Sequence, residues 1–157
     1  AGADFLICPD NTIHQAFDHL RDRLPLPWLH IAEVVAEEAA RQGYNRLGIL
    51  GTKYLMEGPV YPQALKKFSL ASDIPETADR ERINTIIFKE LVNGVFREDS
   101  RLTFNQVMEK MKRRGCDAAA LACTEIPLLV RPDDAPLPTL DSTRLLARAA
   151  LRRAQSA

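Results

Sequence analysis

Residues 118–123 read Ala-Ala-Ala-Leu-Ala-Cys and run directly into Thr124 and Glu125. Six apolar residues in a row, followed by polar ones, are typical of a short strand that is buried on both faces. Residues 46–51 and residues 3–8 show a similar apolar run that ends at polar or turn-forming residues. The sequence therefore predicts three short buried strands, each of which ends beside side chains that can do chemistry.

Apolar residues at helical spacing fill most of the chain between these strands. Ser100 and Asp141 stand where helix N-caps are expected. Because strands alternate with helices, we predict an α/β fold with a mainly parallel sheet and right-handed crossovers. Such sheets bind ligands at the carboxyl ends of their strands. The predicted helices are 12–24, 31–42, 61–68, 78–96, 100–114 and 142–154, with short helical turns at 54–56 and 125–130 and a weak strand at 71–74.

The composition excludes several classes of protein. The 157 residues carry 21 Lys and Arg against 21 Asp and Glu, and this balance argues against a nucleic-acid or anionic-membrane surface. No apolar run approaches the roughly 20 residues of a membrane helix, and no signal peptide is visible. Three unevenly spaced cysteines favour reduced thiols in the cytoplasm. The chain enters its first strand without an initiator Met, which predicts a segment from inside a longer protein.

Motifs for cofactors and metals do not occur, so we expect neither. The sequence contains no Gly-x-Gly-x-x-Gly stretch, no phosphate-binding Gly-rich loop and no histidine pair at metal-ligand spacing.

Five residues that follow predicted strands are candidates for function. Asp10 is either a turn or capping residue or a carboxylate base. Cys123 is either a small buried apolar residue or a nucleophile or base whose pKa a helix N-terminus lowers. Thr12, Thr52 and Thr124 each follow a strand, where a hydroxyl and a backbone N–H can cap a helix or bind an anion.

Two motifs carry a resemblance to a known family. Residues 9–14, Pro-Asp-Asn-Thr-Ile-His, resemble the Pro-Cys-Asn-Thr-x-His motif of the aspartate/glutamate racemase family. Residues 122–126, Ala-Cys-Thr-Glu-Ile, are similar to that family's second motif, Gly-Cys-Thr-Glu-Ile. Residues 50–57 and 140–143 also look like segments of the family, so the resemblance covers about residues 1–154.

The resemblance implies an amino-acid racemase or epimerase that uses no cofactor. It implies two pseudo-symmetric, parallel-sheet (Rossmann-like) halves with the substrate between them. Residues 1–30 and 138–157 would belong to the first half, whose N-terminal elements would precede residue 1, and residues 31–137 would form the second. Aspartate and glutamate are the first candidate substrates, other amino acids or dicarboxylates stay open, and a homodimer is expected.

In the family, two cysteines flank the α-carbon of the substrate. One cysteine takes the α-proton as a thiolate, and the other returns a proton to the opposite face. By resemblance Cys123 is the second of these and Asp10 stands in place of the first. The neighbouring residues would hold the α-carboxylate and the amino group; these are Asn11, Thr12, Thr124 and Glu125, and we expect Thr52 to join them.

The sequence departs from the family pattern at Asp10 and Leu55. Leu55 stands where relatives often carry a Thr that helps bind a carboxylate, so the preference for an acidic side chain is open. Reference pKa values of about 3.9 for Asp and about 8.5 for Cys differ by about 4.6, which equals about 6 kcal/mol. Two-base racemisation needs a smaller difference. We therefore predict that burial raises the pKa of Asp10 and that helix N-termini lower the pKa of Cys123.

Two alternatives remain at this point. An enzyme of the same fold could use Cys123 alone to protonate a carbanion-like intermediate, as decarboxylases that resemble this family do. An inactive relative could bind a carboxylated metabolite through its threonines.

Overall fold

This computed structural model describes residues 2–156, and the described residues alternate strands with helices as predicted. The strands are β1 (Leu6–Ile7), β2 (Trp28–Leu29), β3 (Arg46–Leu50), β4 (Ala71–Asp73), β5 (Ala118–Leu121) and β6 (Thr139–Asp141). The α-helices are α1 (Phe17–Leu20), α2 (Ile31–Arg41), α3 (Lys53–Met56), α4 (Val60–Lys66), α5 (Thr77–Lys89), α6 (Glu98–Arg113), α7 (Ile126–Leu129) and α8 (Ser142–Gln155). Four 3₁₀ segments are Thr12–Ala16, Arg21–Arg23, Leu91–Asn93 and Pro132–Asp134.

Every strand pair in the described residues is parallel, which confirms the predicted α/β class. The larger sheet has the order β4-β3-β5-β6, and β1 and β2 form a separate two-stranded sheet. Leu50 of β3 pairs with Leu121 of β5, so these central strands end side by side. The residues that follow them, Thr52 and Cys123, therefore leave the sheet at the same edge.

The core lies on both faces of the larger sheet. On one face Leu47 and Ile49 pack with residues of α2 and α4, and on the other Leu50 and Leu121 pack with residues of α5 and α6. This two-sided burial explains why β3 and β5 are apolar without alternation.

Close contact between the ends of β3 and β5 requires a glycine. A Cβ added at Gly51 would lie 2.9 Å from the carbonyl oxygen of Ala122, a backbone atom that the sheet holds in place. Gly51 thus lets the two strand ends that carry Thr52 and Cys123 approach each other.

Two predicted elements differ from the structure near the N-terminus. The strand predicted at 3–8 is only Leu6–Ile7, its strand neighbour among the described residues is β2, and Ile7 is 44% exposed. The helix predicted at 12–24 is a 3₁₀ turn, one turn of α-helix and a second 3₁₀ turn. The short strand Trp28–Leu29 was not predicted, because two residues give no periodic signal.

Two helix ends also differ. The helix predicted at 78–96 ends at Lys89, and the backbone reaches a left-handed conformation at Gly94, with φ of 70°. Ser100 was predicted as an N-cap, but α6 begins earlier, and the Ser100 hydroxyl donates to Glu90 Oε2 at 2.5 Å. The cap at Asp141 is confirmed, since its Oδ1 accepts from the backbone N–H of Arg144 at 2.9 Å.

The predicted division into two halves stays a prediction. Strand β6, which the division assigns to the first half, hydrogen bonds to β5 within the four-stranded sheet. Helix α8 packs on α2 through contacts that include Leu146 and Ile31. Among residues 2–156, no helix is both long and apolar enough to cross a bilayer.

Candidate active site

An open cavity of about 440 Å³ lies where β3 and β5 end. It brings together all seven of the site residues that the sequence predicted, although these come from three separate stretches of the chain. The parallel strands β3 and β5 bring Thr52 and Cys123 to one edge of the larger sheet. Asp10, Asn11 and Thr12 reach the same cavity from the loop after β1, which belongs to the separate two-stranded sheet. The lining residues are Pro9, Asp10, Asn11, Thr12, Thr52, Tyr54, Ile87, Phe88, Val92, Ala122, Cys123, Thr124 and Glu125.

The Cys123 thiol forms a close pair with a carboxylate. Its Sγ donates to Glu125 Oε2 at 3.0 Å, and the Thr124 hydroxyl donates to the same oxygen at 2.7 Å. Burial, and then the hydrogen bond to Glu125, raise the pKa of Cys123 to about 12. The predicted lowering is therefore wrong. The helix that follows, α7, is only four residues long and offsets little of this effect.

Glu125 stays ionised beside this thiol. Partial burial raises the pKa of Glu125, but the hydrogen bonds from Cys123 and Thr124 outweigh it, so the net shift is downward. The proton of the pair therefore resides on sulphur at neutral pH. Glu125 was predicted to bind substrate, and its contact with the thiol adds a second task, which is to accept the thiol proton.

Asp10 is exposed and lines the cavity. Its Oδ1 accepts from the backbone N–H of Ile13 at 2.8 Å, so one carboxylate oxygen caps the following 3₁₀ turn. The burial that we predicted for this carboxylate is not found. Cys8, two residues earlier, does not line the cavity.

A buried hydrogen-bonded chain fixes Asn11. The Tyr61 hydroxyl donates to Asn11 Oδ1 at 2.9 Å, and Asn11 Nδ2 donates to Ser142 Oγ at 3.1 Å. Ser142 Oγ donates in turn to the carbonyl oxygen of Leu121 at 2.9 Å. Burial raises the pKa of Tyr61, so its hydroxyl remains a donor. These hydrogen bonds tie the loop that carries Asp10 to the end of β5. They also use both the oxygen and the nitrogen of the Asn11 side-chain amide, which was predicted to bind substrate.

His14 hydrogen bonds to the backbone of Asp10. Its Nδ1 donates to the Asp10 carbonyl oxygen at 2.8 Å, and its Nε2 accepts from Trp28 Nε1 at 3.0 Å. These partners fix one neutral tautomer. Burial lowers the pKa of His14, which favours the neutral ring further. Tyr61, Ser142 and Trp28 had no signal in the sequence, because their partners lie far away along the chain.

Thr52 caps a helix, as one of its two predicted roles requires, and it also lines the cavity. Thr52 Oγ1 accepts from the backbone N–H of Leu55 at 3.4 Å and caps α3, and the same residue lines the cavity. Thr12 and Thr124 also line it. Within residues 2–156, no three His, Cys, Asp or Glu side chains are placed to hold a metal ion.

Comparisons with known proteins agree on one family. The sequence model described as Asp/Glu/hydantoin racemase matches residues 1–150. A curated glutamate racemase from Sulfurihydrogenibium sp. (strain YO3AOP1) is 28% identical over 130 residues, which cover 80% of this chain and 48% of that protein. This chain therefore spans about half the length of that relative.

Two solved structures have a similar fold. A candidate Asp/Glu racemase from Yersinia pestis is 36% identical, with a TM-score of 0.91 over 98% of this chain and 67% of that one. An aspartate racemase homologue from Pyrococcus horikoshii OT3 is 28% identical, with a TM-score of 0.88 over 98% of this chain and 68% of that one.

Proposed function

The chain belongs to the Asp/Glu/hydantoin racemase family, and from this premise we propose that it is a cofactor-independent amino-acid racemase or epimerase. One observation carries the proposal. Asp10 follows a strand of the two-stranded sheet and Cys123 follows a strand of the four-stranded sheet, yet both line a single cavity. A carboxylate and a thiol on either side of an α-carbon can take a proton from one face and return one to the other.

Substrate binding is assigned to the strand ends. The hydroxyls and backbone N–H groups of Thr12, Thr52 and Thr124 suit the α-carboxylate of an amino acid. The carboxylate of Glu125 suits its α-ammonium group, because their charges are opposite.

Proton transfer then proceeds in two steps. The Asp10 carboxylate takes the α-proton and becomes a carboxylic acid, while the electron pair of the C–H bond remains on carbon and is delocalised into the substrate carboxyl group. The Cys123 thiol gives its proton to the opposite face of that carbanion and becomes a thiolate. The product has the inverted configuration, Asp10 holds one more proton and Cys123 one fewer.

The reverse direction needs a thiolate and a protonated Asp10. A pKa of about 12 makes the Cys123 thiolate scarce at neutral pH. Glu125 can receive the thiol proton in this direction, because its Oε2 already accepts the S–H hydrogen bond. We assign Glu125 this role in addition to substrate binding.

A second candidate is an enzyme that uses Cys123 alone, such as a decarboxylase of the same fold. Two properties of Asp10 favour this single-thiol enzyme. The carboxylate of Asp10 is exposed, and one of its oxygens already accepts from the backbone N–H of Ile13. A thiol that is protonated at neutral pH is a suitable proton donor to a carbanion left by decarboxylation.

Proton NMR in D₂O separates these functions. The purified protein is incubated with amino acids, the α-proton signal is followed, and chiral chromatography reports inversion. Racemisation that is abolished by both Asp10→Asn and Cys123→Ser supports the two-base proposal. Loss with the Cys123 variant alone, together with turnover of a substituted malonate, favours the single-thiol enzyme. Binding of an amino acid without any exchange would identify an inactive relative.

We further propose a homodimer in the cytoplasm. The family resemblance supports the dimer, and the three unpaired cysteines among the described residues are compatible with a reducing compartment. Light scattering coupled to size-exclusion chromatography tests the first point, and a monomeric mass would contradict it. Fractionation of cells that express the protein tests the second.

A further inference from the structure

Three buried polar side chains connect the two sheets beside the candidate site. Tyr61 lies on α4 and Ser142 is the first residue of α8, and both are completely buried. Asn11 lies between them and is 4% exposed. The Tyr61 hydroxyl bonds to one end of the Asn11 amide, and Ser142 Oγ bonds to the other end. Ser142 Oγ also bonds to the Leu121 carbonyl oxygen, so the network ends on β5.

A single backbone group fixes the direction of these hydrogen bonds. A carbonyl oxygen can only accept, so the one proton of Ser142 Oγ points to Leu121. Ser142 Oγ must then accept from Asn11, which therefore presents Nδ2 to Ser142 and Oδ1 to Tyr61. A rotated amide would bring two acceptors together at Ser142. The Asn11 side chain is therefore held in one orientation.

The two ends of the network adjoin the two groups that proton transfer requires. Asn11 directly follows Asp10, and Leu121, the last residue of β5, lies two residues before Cys123. β1 and β5 belong to different sheets, so strand pairing does not set the distance between the loops that follow them. A buried network supplies this constraint, because breaking it leaves a buried polar group without its partner.

We propose that Tyr61 and Ser142 are positioning residues for proton transfer, and that they act through Asn11. They hold the loop of Asp10 in a fixed place relative to the strand end that carries Cys123. This inference rests on the proposed function, because it concerns the two groups that exchange protons with the α-carbon. Both groups must reach that carbon in the correct geometry, and a displacement of about 1 Å can cost about 100-fold in rate.

Kinetics of racemisation provide the first test. Tyr61→Phe and Ser142→Ala should each lower kcat, expressed per folded protein, by about 10-fold or more, because the loop of Asp10 loses its fixed position. KM should change less than kcat, since Thr52 and Thr124 follow strands of the larger sheet and keep their places. Circular dichroism gives the folded fraction of each variant.

Thr103→Val is the matched control. Thr103 is 3% exposed, and its hydroxyl donates to the Asp99 carbonyl oxygen at 2.9 Å within α6. Helix α6 packs on the face of the larger sheet opposite to α4. The variant loses a buried hydroxyl, as Tyr61→Phe does, but it should keep the wild-type kcat.

A double-mutant cycle tests whether the two residues act through the same group. Tyr61→Phe combined with Ser142→Ala should lower kcat by less than the product of the two single effects, because both substitutions release Asn11. Tyr61→Phe combined with Thr103→Val should show effects that simply multiply. A positioning role through Asn11 therefore predicts coupling in the first pair and none in the second.

Hydrogen exchange measured by NMR tests the position of the loop without any substrate. The backbone N–H of His14 donates to the Asn11 carbonyl oxygen, so its exchange reports on this loop. The N–H of Ile86, inside α5, serves as the reference for general loss of stability. Tyr61→Phe and Ser142→Ala should raise the rate at His14 relative to Ile86 by about 10-fold, and Thr103→Val should leave this ratio unchanged.

The outcomes separate this inference from the proposed function. If kcat per folded protein is unchanged in Tyr61→Phe and Ser142→Ala, or falls equally in Thr103→Val, the inference is overturned and the racemase proposal stands. If no amino acid is racemised, the racemase proposal fails and hydrogen exchange decides whether the network holds the loop. A ratio raised in Tyr61→Phe and Ser142→Ala alone would support the inference. An unchanged ratio, or one raised equally in all three variants, would overturn it.

Discussion

Replacing Glu125 by Gln should make Cys123 more reactive. Glu125 Oε2 accepts the hydrogen bond of the thiol at 3.0 Å, and its negative charge disfavours a thiolate at that distance. Gln keeps the size of the side chain and a carbonyl acceptor, but it removes the charge. The pKa of Cys123 should therefore fall in Glu125→Gln.

The magnitude follows from the two causes of the raised pKa. The pKa of Cys123 increases from 9.0 to about 12, with burial as the larger cause and Glu125 as the second. We assign a pKa increase of roughly 1 to the carboxylate, which corresponds to about 1.4 kcal/mol. This value agrees with the interaction energy of about 1–4 kcal/mol between unit charges 4 Å apart at a partly solvated site. Below the pKa, the thiolate fraction then rises roughly 10-fold, while the intrinsic nucleophilicity falls about threefold. The net expectation is roughly threefold faster alkylation.

Iodoacetamide labelling followed by peptide mass spectrometry measures this rate at each cysteine separately. The labelling is carried out between pH 7 and pH 10 on the wild type and on Glu125→Gln. Cys116 is an internal control: burial and the nearby Asp73 raise its pKa to about 11, and neither cause involves Glu125. Cys8 is a second internal control because it lies outside the cavity.

The reasoning would be refuted by unchanged or slower labelling of Cys123 in Glu125→Gln. Equal acceleration at Cys116 would also contradict it, because it would indicate general loosening of the fold.

Three further predictions concern stability. Tyr61→Phe leaves Asn11 Oδ1 buried without its donor and should cost about 1–3 kcal/mol in urea unfolding. His30 has a pKa lowered to about 4, by burial first and by its neighbours second, while an unfolded His titrates near 6.5. The unfolded state therefore binds more protons between pH 4 and pH 6.5. The free energy of unfolding, measured by thermal unfolding, should fall by roughly 1–2 kcal/mol as the pH drops from 6.5 toward 4, a value reduced because the ring is partly exposed to solvent. Gly51→Ala forces a Cβ to within 2.9 Å of the Ala122 carbonyl and should cost about 1–3 kcal/mol in the same urea assay.

Each prediction has a control in the chain. Tyr54→Phe, at a 67% exposed residue, should change stability by less than about 0.5 kcal/mol, and a loss equal to that of Tyr61→Phe would contradict the buried-acceptor argument. His30→Gln should flatten the pH dependence between 6.5 and 4, and an unchanged slope would assign it to other groups. In Gly48→Ala the new Cβ first meets the flexible end of Met111, so a loss larger than in Gly51→Ala would contradict the steric argument.

The local sequence was sufficient for the fold class and for the strand ends beside which the cavity lies. The apolar run at 118–123 and the stripe of Ile31–Arg41 encode which backbone faces are buried, and burial of that kind depends on neighbours only a few residues away. Once the strands are parallel, their ends share one edge. The convergence of Thr52 and Cys123 therefore follows from order along the chain. Asp10 follows β1 of the separate sheet, so only the folded chain brings it to the same cavity.

Weaker local signals led to wrong predictions. The helix predicted through residue 96 ended at Lys89, and Ser100 lies inside α6. Both errors concern helix ends, where a hydrogen bond such as that from Ser100 to Glu90 selects one boundary among several of similar local energy.

Tertiary structure alone decided the chemistry of the two candidate groups. The sequence pattern favoured a buried Asp10 and a lowered pKa for Cys123, whereas Asp10 is exposed, and Cys123 is half-buried and hydrogen bonds to Glu125, which raises its pKa. A pKa depends on the depth of burial and on every charge within a few ångströms, and segments far apart in the chain supply both. For the same reason, only the folded chain brings Phe88 to the cavity that Cys123 lines.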